Sequence, residues 1–241
     1  MQSKNIVLVP GAWLGAWVWK KIIPLLEKHG YNVYPVTLTG MGERRHLASK
    51  DINMETAIQD VLNIIEYNDL NDIILAGHSF AGKVVSVVAD RIPEKIKLIM
   101  YIDAVVPENV RTPQGSMDPE SEFGSIPPGF FGIPLTDEII EEIGSDVKGK
   151  DRDWMLKKGA PWPIRLGTDP IVISDKFDAV KKAYIFCIMG HGGKTSEEIY
   201  QEIKNYTDKL TGPYKIIETG HWPMVTKPEE LVKYMIELSE K

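Results

Sequence analysis

The sequence holds a single cysteine, Cys187, so no intrachain disulfide can form. It lies in the apolar run Ala183-Tyr184-Ile185-Phe186-Cys187-Ile188 and reads as a packing thiol, the usual place of a free cysteine. Metal-ligand spacing is missing too, with no cysteine pair and no His-x-x-x-His. Neither a P-loop nor a dinucleotide fingerprint occurs, so no metal and no cofactor is expected. Basic charge is in deficit, 28 Lys and Arg against 34 Asp and Glu, for a net charge of -6. A nucleic-acid partner would favour the opposite balance. No apolar run reaches the length of a membrane-spanning helix. The short apolar stretch after Met1 lacks the core and cleavage site of a signal peptide. The expectation is a cytoplasmic protein with neither a nucleic acid nor a membrane as partner.

What remains is an ordinary globular balance, 43% hydrophobic and 26% charged over 241 residues. That length suits one domain, 1–241, with a core large enough to need no covalent staple. Short apolar runs at 5–9, 32–36, 72–76, 98–102, 183–188 and 214–218 alternate with amphipathic stretches at 17–28, 54–67, 81–91, 197–208 and 228–240. Strands that are apolar at nearly every position are those covered on both faces. Alternation of this kind means an α/β fold with right-handed crossovers. About six mostly parallel strands flanked by helices are predicted. The rhythm fails between Val106 and Val180, where prolines gather and helical pattern survives only at 136–143 and 151–157. So long a structureless stretch would be unusual in a compact domain. A helical cap, inserted after the fourth strand at about 107–180, is the better reading.

Gly77-His78-Ser79-Phe80-Ala81-Gly82 joins a predicted strand to a predicted helix. A bare G-x-S means little, but strand, sharp turn and helix form the setting in which such a serine is lifted above the sheet edge as a nucleophile. An ordinary strand–helix turn is the bland alternative. A serine hydroxyl needs a base near neutral pH, and the histidines are His29, His46, His78, His191 and His221. His221, in Gly220-His221-Trp222-Pro223-Met224, follows the last strand and so falls on a loop at the same edge as Ser79. His78 and His29 read as structural, His78 pointing away from its neighbour. His46 suits a solvated loop better than a pocket rim.

Four motifs carry a more specific likeness: Val9-Pro10-Gly11-Ala12-Trp13-Leu14-Gly15-Ala16-Trp17, Leu38-Thr39-Gly40-Met41-Gly42-Glu43-Arg44, Gly77–Ser79 and Gly220–Met224. Together they resemble the α/β-hydrolase superfamily, in its branch of carboxylesterases, plant methyl esterases and hydroxynitrile lyases. The resemblance implies the α/β-hydrolase fold and an oxyanion hole made by the backbone amides of Ala12 and Phe80. Family members usually have His-Gly in the first loop where this chain has Pro10-Gly11. The lyases that it resembles carry a threonine and a lysine where Gly11 and Trp222 stand here, so an ammonium group to stabilise departing cyanide is lacking. Of the loop tryptophans, Trp17 and Trp19 suit packing and Trp13 faces the pocket in one reading.

The family usually places its triad Asp a few residues after the fifth main strand. Here that stretch is Cys187-Ile188-Met189-Gly190-His191-Gly192-Gly193, without a carboxylate. Asp103, at the end of the fourth strand, is the best substitute, although relatives with the usual Asp often carry one there as well. Glu197 and Glu198 suit a helix N-terminus, and Glu218 belongs to the last strand. The expected activity is that of a carboxylesterase-like serine hydrolase, with Ser79 as nucleophile, His221 as base and Asp103 as acid, acting on a small to medium hydrophobic ester. Phe123, Phe130, Phe131, Trp154 and Trp162 of the cap would suit such a substrate, or else form the cap's own small core. A ligand-binding or signalling protein on a degraded hydrolase scaffold, or a cofactor-free lyase, is the alternative. A homodimer stays open.

Overall fold

The computed structural model describes residues 4–107, 131–189 and 194–240. In chain order the strands are β1 (Lys4–Val9), β2 (Tyr31–Pro35), β3 (Ile73–His78), β4 (Ile96–Ile102), β5 (Gly132–Ile133), β6 (Trp162–Pro163), β7 (Lys182–Cys187) and β8 (Tyr214–Ile217). Six of them form one sheet in the order β2-β1-β3-β4-β7-β8, while β5 and β6 pair in a separate ribbon. Every pairing in the large sheet is parallel, as the apolar runs predict. The helices are α1 (Ile23–Lys28), α2 (Met54–Tyr67), α3 (Ala81–Arg91), α4 (Asp137–Ile143), α5 (Gly149–Lys158), α6 (Arg165–Thr168), α7 (Ser196–Thr207), α8 (Pro223–Thr226) and α9 (Pro228–Ser239). Among the described residues no helix is long and apolar enough to cross a membrane.

Alternation along β1 shows how the sheet builds a core on both faces. Val7 and Val9 point to one side, against Ile58 and Val61 of α2 and Val84 and Val88 of α3. Ile6 and Leu8 point to the other, against Trp19, Leu26 of α1 and Leu231 and Met235 of α9. All are buried, and each such side chain contributes about 1.5–3 kcal/mol. Helix starts follow local chemistry. Asn53 and Thr56 close a capping box on α2, and Thr195 and Glu198 close one on α7, satisfying amides that would otherwise lack partners.

One predicted helix divides. Residues 17–28 form a 3-10 turn, Ala16–Lys21, followed by α1. Pro24 enters at the first turn of α1, where its missing N–H is harmless; a continuous helix would set its ring against the preceding turn. The Leu38–Arg44 motif has a structural explanation. The Asp60 carboxylate accepts from the Thr39 amide and hydroxyl and from Arg44, and Thr37 links the Ala16 amide to Glu43.

The described part of the segment between β4 and β7 has several residues against the loop that follows β1. The Trp13 indole donates to the Ile133 carbonyl at 2.9 Å, and the Ala160 amide donates to the Trp13 carbonyl at 2.9 Å. Trp154 of α5 meets Trp17 edge-on at 4.8 Å, and Lys21 pairs with Asp151 at 2.7 Å. Two short elements, the β5–β6 ribbon and α6, escaped the sequence reading because each is too short to carry a period.

Candidate active site

The carboxyl ends of β1, β3, β4, β7 and β8 line up, since Val9 is level with Gly77, His78 with Ile102, Ile102 with Ile185, and Cys187 with Ile217. Strand order reverses between β1 and β3, because β2 lies beyond β1 on one side and the rest of the sheet on the other. Crevices at such switch points are where open α/β sheets bind ligands. Ala12 follows β1 and Ser79 follows β3, one on each side of that point.

Ser79 adopts φ +58°, a left-handed conformation that costs a non-glycine residue strain and holds its side chain up from the turn. The turn is tight enough to dictate its neighbours. A Cβ on Gly82 would lie 1.9 Å from the Val105 carbonyl oxygen, and one on Gly77 would lie 2.8 Å from Val85. The small residues of the motif therefore have a packing reason. Gly11 has another, because a Cβ there would lie 2.8 Å from the Ser79 Cβ and 2.5 Å from His78 Nδ1. The first loop presses directly on the serine turn. The amides of Ala12 and Phe80 make no hydrogen bond among the described residues.

His221 Nδ1 lies 2.6 Å from Asp103 Oδ2. A carboxylate only accepts, so a ring proton sits on Nδ1. Asp103 is held from behind: its Oδ1 accepts from the Cys187 amide at 3.0 Å, and its own amide donates to Ile185 at 2.7 Å. It too has a left-handed backbone, φ +43°. Burial would raise the Asp103 carboxyl, but the hydrogen bond and charge of His221, together with the Cys187 amide, outweigh it. The group stays below the usual carboxylate range. The structure thus brings Asp103 and His221 together at the edge that carries Ser79. Among the described residues the Ser79 hydroxyl has no hydrogen-bond partner; in unliganded sites the nucleophile–base contact is often long.

His78 is structural, as its place next to Ser79 suggested, but it reaches the His221 loop. It is fully buried, its ring is 4.6 Å from that of His221, and its Nε2 donates to the His221 carbonyl at 2.6 Å. Burial, with a smaller push from His221, lowers its imidazole to about 3. It is therefore a neutral prop under the His221 loop. Nothing in the sequence announces this, because the two residues are 143 positions apart. His29 closes α1 and bonds the Leu25 carbonyl, and His46 is exposed. His191, Phe123 and Phe130 lie outside the described residues.

Trp162 of β6 packs 5.2 Å from the Phe80 ring and 6.1 Å from Trp13, forming an aromatic wall beside the serine turn. Phe131 is exposed, and Trp154 is engaged with Trp17. Trp19 is fully buried, as a packing residue should be. No group of three His, Cys, Asp or Glu that could hold a metal occurs among the described residues.

Comparison with known proteins agrees with the architecture. A model of an alpha/beta hydrolase family matches residues 6–234. The chain is 33% identical to a carbendazim hydrolyzing esterase of a Nocardioides species, over 97% of this chain and 99% of that protein. It is 26% identical to methylesterase 8 of Arabidopsis thaliana, over 100% of this chain and 91% of the other. Among solved structures, an extracellular alpha/beta-hydrolase from a Paenibacillus species superposes with a TM-score of 0.81 at 20% identity, covering 99% of this chain and 100% of that one. Polyneuridine aldehyde esterase superposes with a TM-score of 0.75 at 23% identity, covering 99% of this chain and 100% of the other.

Proposed function

The chain belongs to the alpha/beta hydrolase family, and from that premise we propose that it is a serine carboxylesterase. The observation that carries the proposal is the 2.6 Å contact between Asp103 and His221, beside a serine held at positive φ. A carboxylate in that position sets the imidazole tautomer and stabilises its charged form. In this reading Asp103 supplies the acid that the stretch after β7 lacks, which counts against a degraded, ligand-binding pocket.

In the proposed reaction His221 Nε2 takes the Ser79 proton as Oγ attacks the ester carbonyl. The resulting oxyanion lies against the Ala12 and Phe80 amides, an interaction whose donors are each worth about 2.7–4 kcal/mol in related chemistry. Collapse expels the alkoxide, which takes the proton back from His221 and leaves as alcohol. Water, deprotonated by the same Nε2, then attacks the acyl-Ser79 carbonyl. Breaking the acyl–oxygen bond expels Ser79 Oγ, which takes the proton from His221 Nε2, and releases the acid.

The aromatic wall of Trp13, Phe80 and Trp162 suits a small to medium hydrophobic ester. The names of the methylesterase relatives favour a short alkoxy group. In this reading the chain between β4 and β7 acts as a cap over the site.

The test is release of p-nitrophenol from acetate and butyrate esters by the parent and by Ser79→Ala. The parent should turn over and the variant should fall to background. Equal release by both proteins would overturn the assignment.

A further inference from the structure

The loop bearing His221 is not anchored by the sheet alone. Its footing is the turn after α4, in the chain between β4 and β7. The His221 amide donates to the Ile143 carbonyl at 2.9 Å. Asp146 Oδ2 accepts from the Thr219 hydroxyl at 2.6 Å and from the Gly220 amide at 3.0 Å, and Thr219 passes the link on to Thr226 at 2.5 Å. Thr219 and Gly220 are buried. The fit is close throughout. A Cβ on Gly144 would lie 2.3 Å from the Trp222 ring, and one on Gly220 would lie 2.4 Å from Asp146 Oδ1.

We propose that Asp146 is a positioning residue for His221, tying the placement of the base to the chain segment that covers the site. The proposal rests on the catalytic reading of His221 above. Two constraints hold the imidazole. Asp103 and His78 grip it from the sheet, through Nδ1 and the backbone carbonyl. Asp146 holds the two residues just before it. One side-chain oxygen accepts from both Thr219 and Gly220, and a charged acceptor makes the stronger bonds. Asp146 touches no reacting atom, so its effect has to pass through the loop. Without it the buried Gly220 amide loses its partner, and the loop has to shift to find another. A displacement of about 1 Å at a catalytic group can cost about 10²-fold in rate.

The experiment compares the parent, Asp146→Ala, Asp146→Asn and Ser79→Ala. Kinetics on p-nitrophenyl butyrate should show kcat lowered about 10²-fold in Asp146→Ala with KM little changed. Asp146→Asn keeps an acceptor oxygen for both donors and should recover most of the loss. A proton NMR arm needs no turnover. The short Nδ1–H bond to Asp103 should give a far-downfield signal in the parent, retained in Asp146→Asn and in Ser79→Ala and broadened or shifted in Asp146→Ala. An Asp146→Ala protein with the parent's kcat, or with the parent's downfield signal, overturns the proposal. If no esterase activity appears in any of the four, the serine hydrolase reading fails by itself and the NMR arm still decides the role of Asp146.

Discussion

Replacing Asp103 with Asn changes one atom and should nearly abolish turnover. The Cys187 amide decides which way the new carboxamide faces. That amide can only donate, and it now bonds Asp103 Oδ1 at 3.0 Å; the Asn oxygen must stay there, because an NH2 group would leave a buried N–H unpaired. The NH2 then faces His221 Nδ1 across the 2.6 Å contact. Nδ1 is forced to accept, so the ring proton moves to Nε2. The imidazole now presents N–H toward Ser79 and cannot take its proton. The carboxylate charge that would stabilise the imidazolium is gone as well. In a serine protease triad the same exchange lowers turnover about 10⁴-fold, which corresponds to about 5 kcal/mol of lost transition-state stabilisation. The assay is p-nitrophenyl butyrate hydrolysis with kcat and KM determined separately, alongside thermal melts. The expected result is a drop of that size in kcat with KM and melting little changed. A folded Asp103→Asn protein that keeps the parent's kcat would refute the reasoning and remove Asp103 from the reaction.

Gly82→Ala should destabilise the fold, because its methyl would sit 1.9 Å from the Val105 carbonyl oxygen. An overpacked site of this kind costs about 3 kcal/mol, which lowers Tm by about 10 °C in a domain of this size; an unchanged Tm would contradict it. Buried His78 should make stability depend on pH. Its folded value is about 3 and an unfolded histidine titrates near about 6.5. As pH falls the unfolded chain therefore binds the proton first. This contribution is complete above about 6.5 and declines down to about 3, losing about 2 kcal/mol between pH 7 and pH 5. The lowered Asp103 carboxyl adds nothing in that interval, since its contribution is lost only below the usual carboxylate range. Urea unfolding at both pH values should show the loss in the parent and a flatter response in His78→Gln, and equal slopes would dispose of the argument.

Much of the fold was legible because it rests on local pattern. Six apolar runs became the six strands of the parallel sheet, and α2 and α3 start and stop at Met54, Tyr67, Ala81 and Arg91 where the apolar period places them. The glycines around Ser79 advertised a tight turn for the same reason: a close approach permits nothing larger at Gly77 or Gly82. Even Asp103 could be singled out, since a residue ending β4 must emerge at the edge where β3 delivers Ser79.

Which carboxylate meets His221, and what holds that loop, belonged to the tertiary structure. Asp103 and His221 are 118 positions apart, His78 and His221 are 143 apart, and Asp146 and Thr219 are 73 apart. Whether such pairs touch depends on how strands are ordered across a sheet and on how an intervening segment folds back over it. No periodicity or capping rule acts at that range, because those rules come from bonds within a few residues of one another. The sequence alone determined the layers, the turn that exposes Ser79 and the loops that share its edge. Only packing decided that a buried histidine would bond the His221 carbonyl and that Asp146, from the segment between β4 and β7, would bond Thr219 and Gly220.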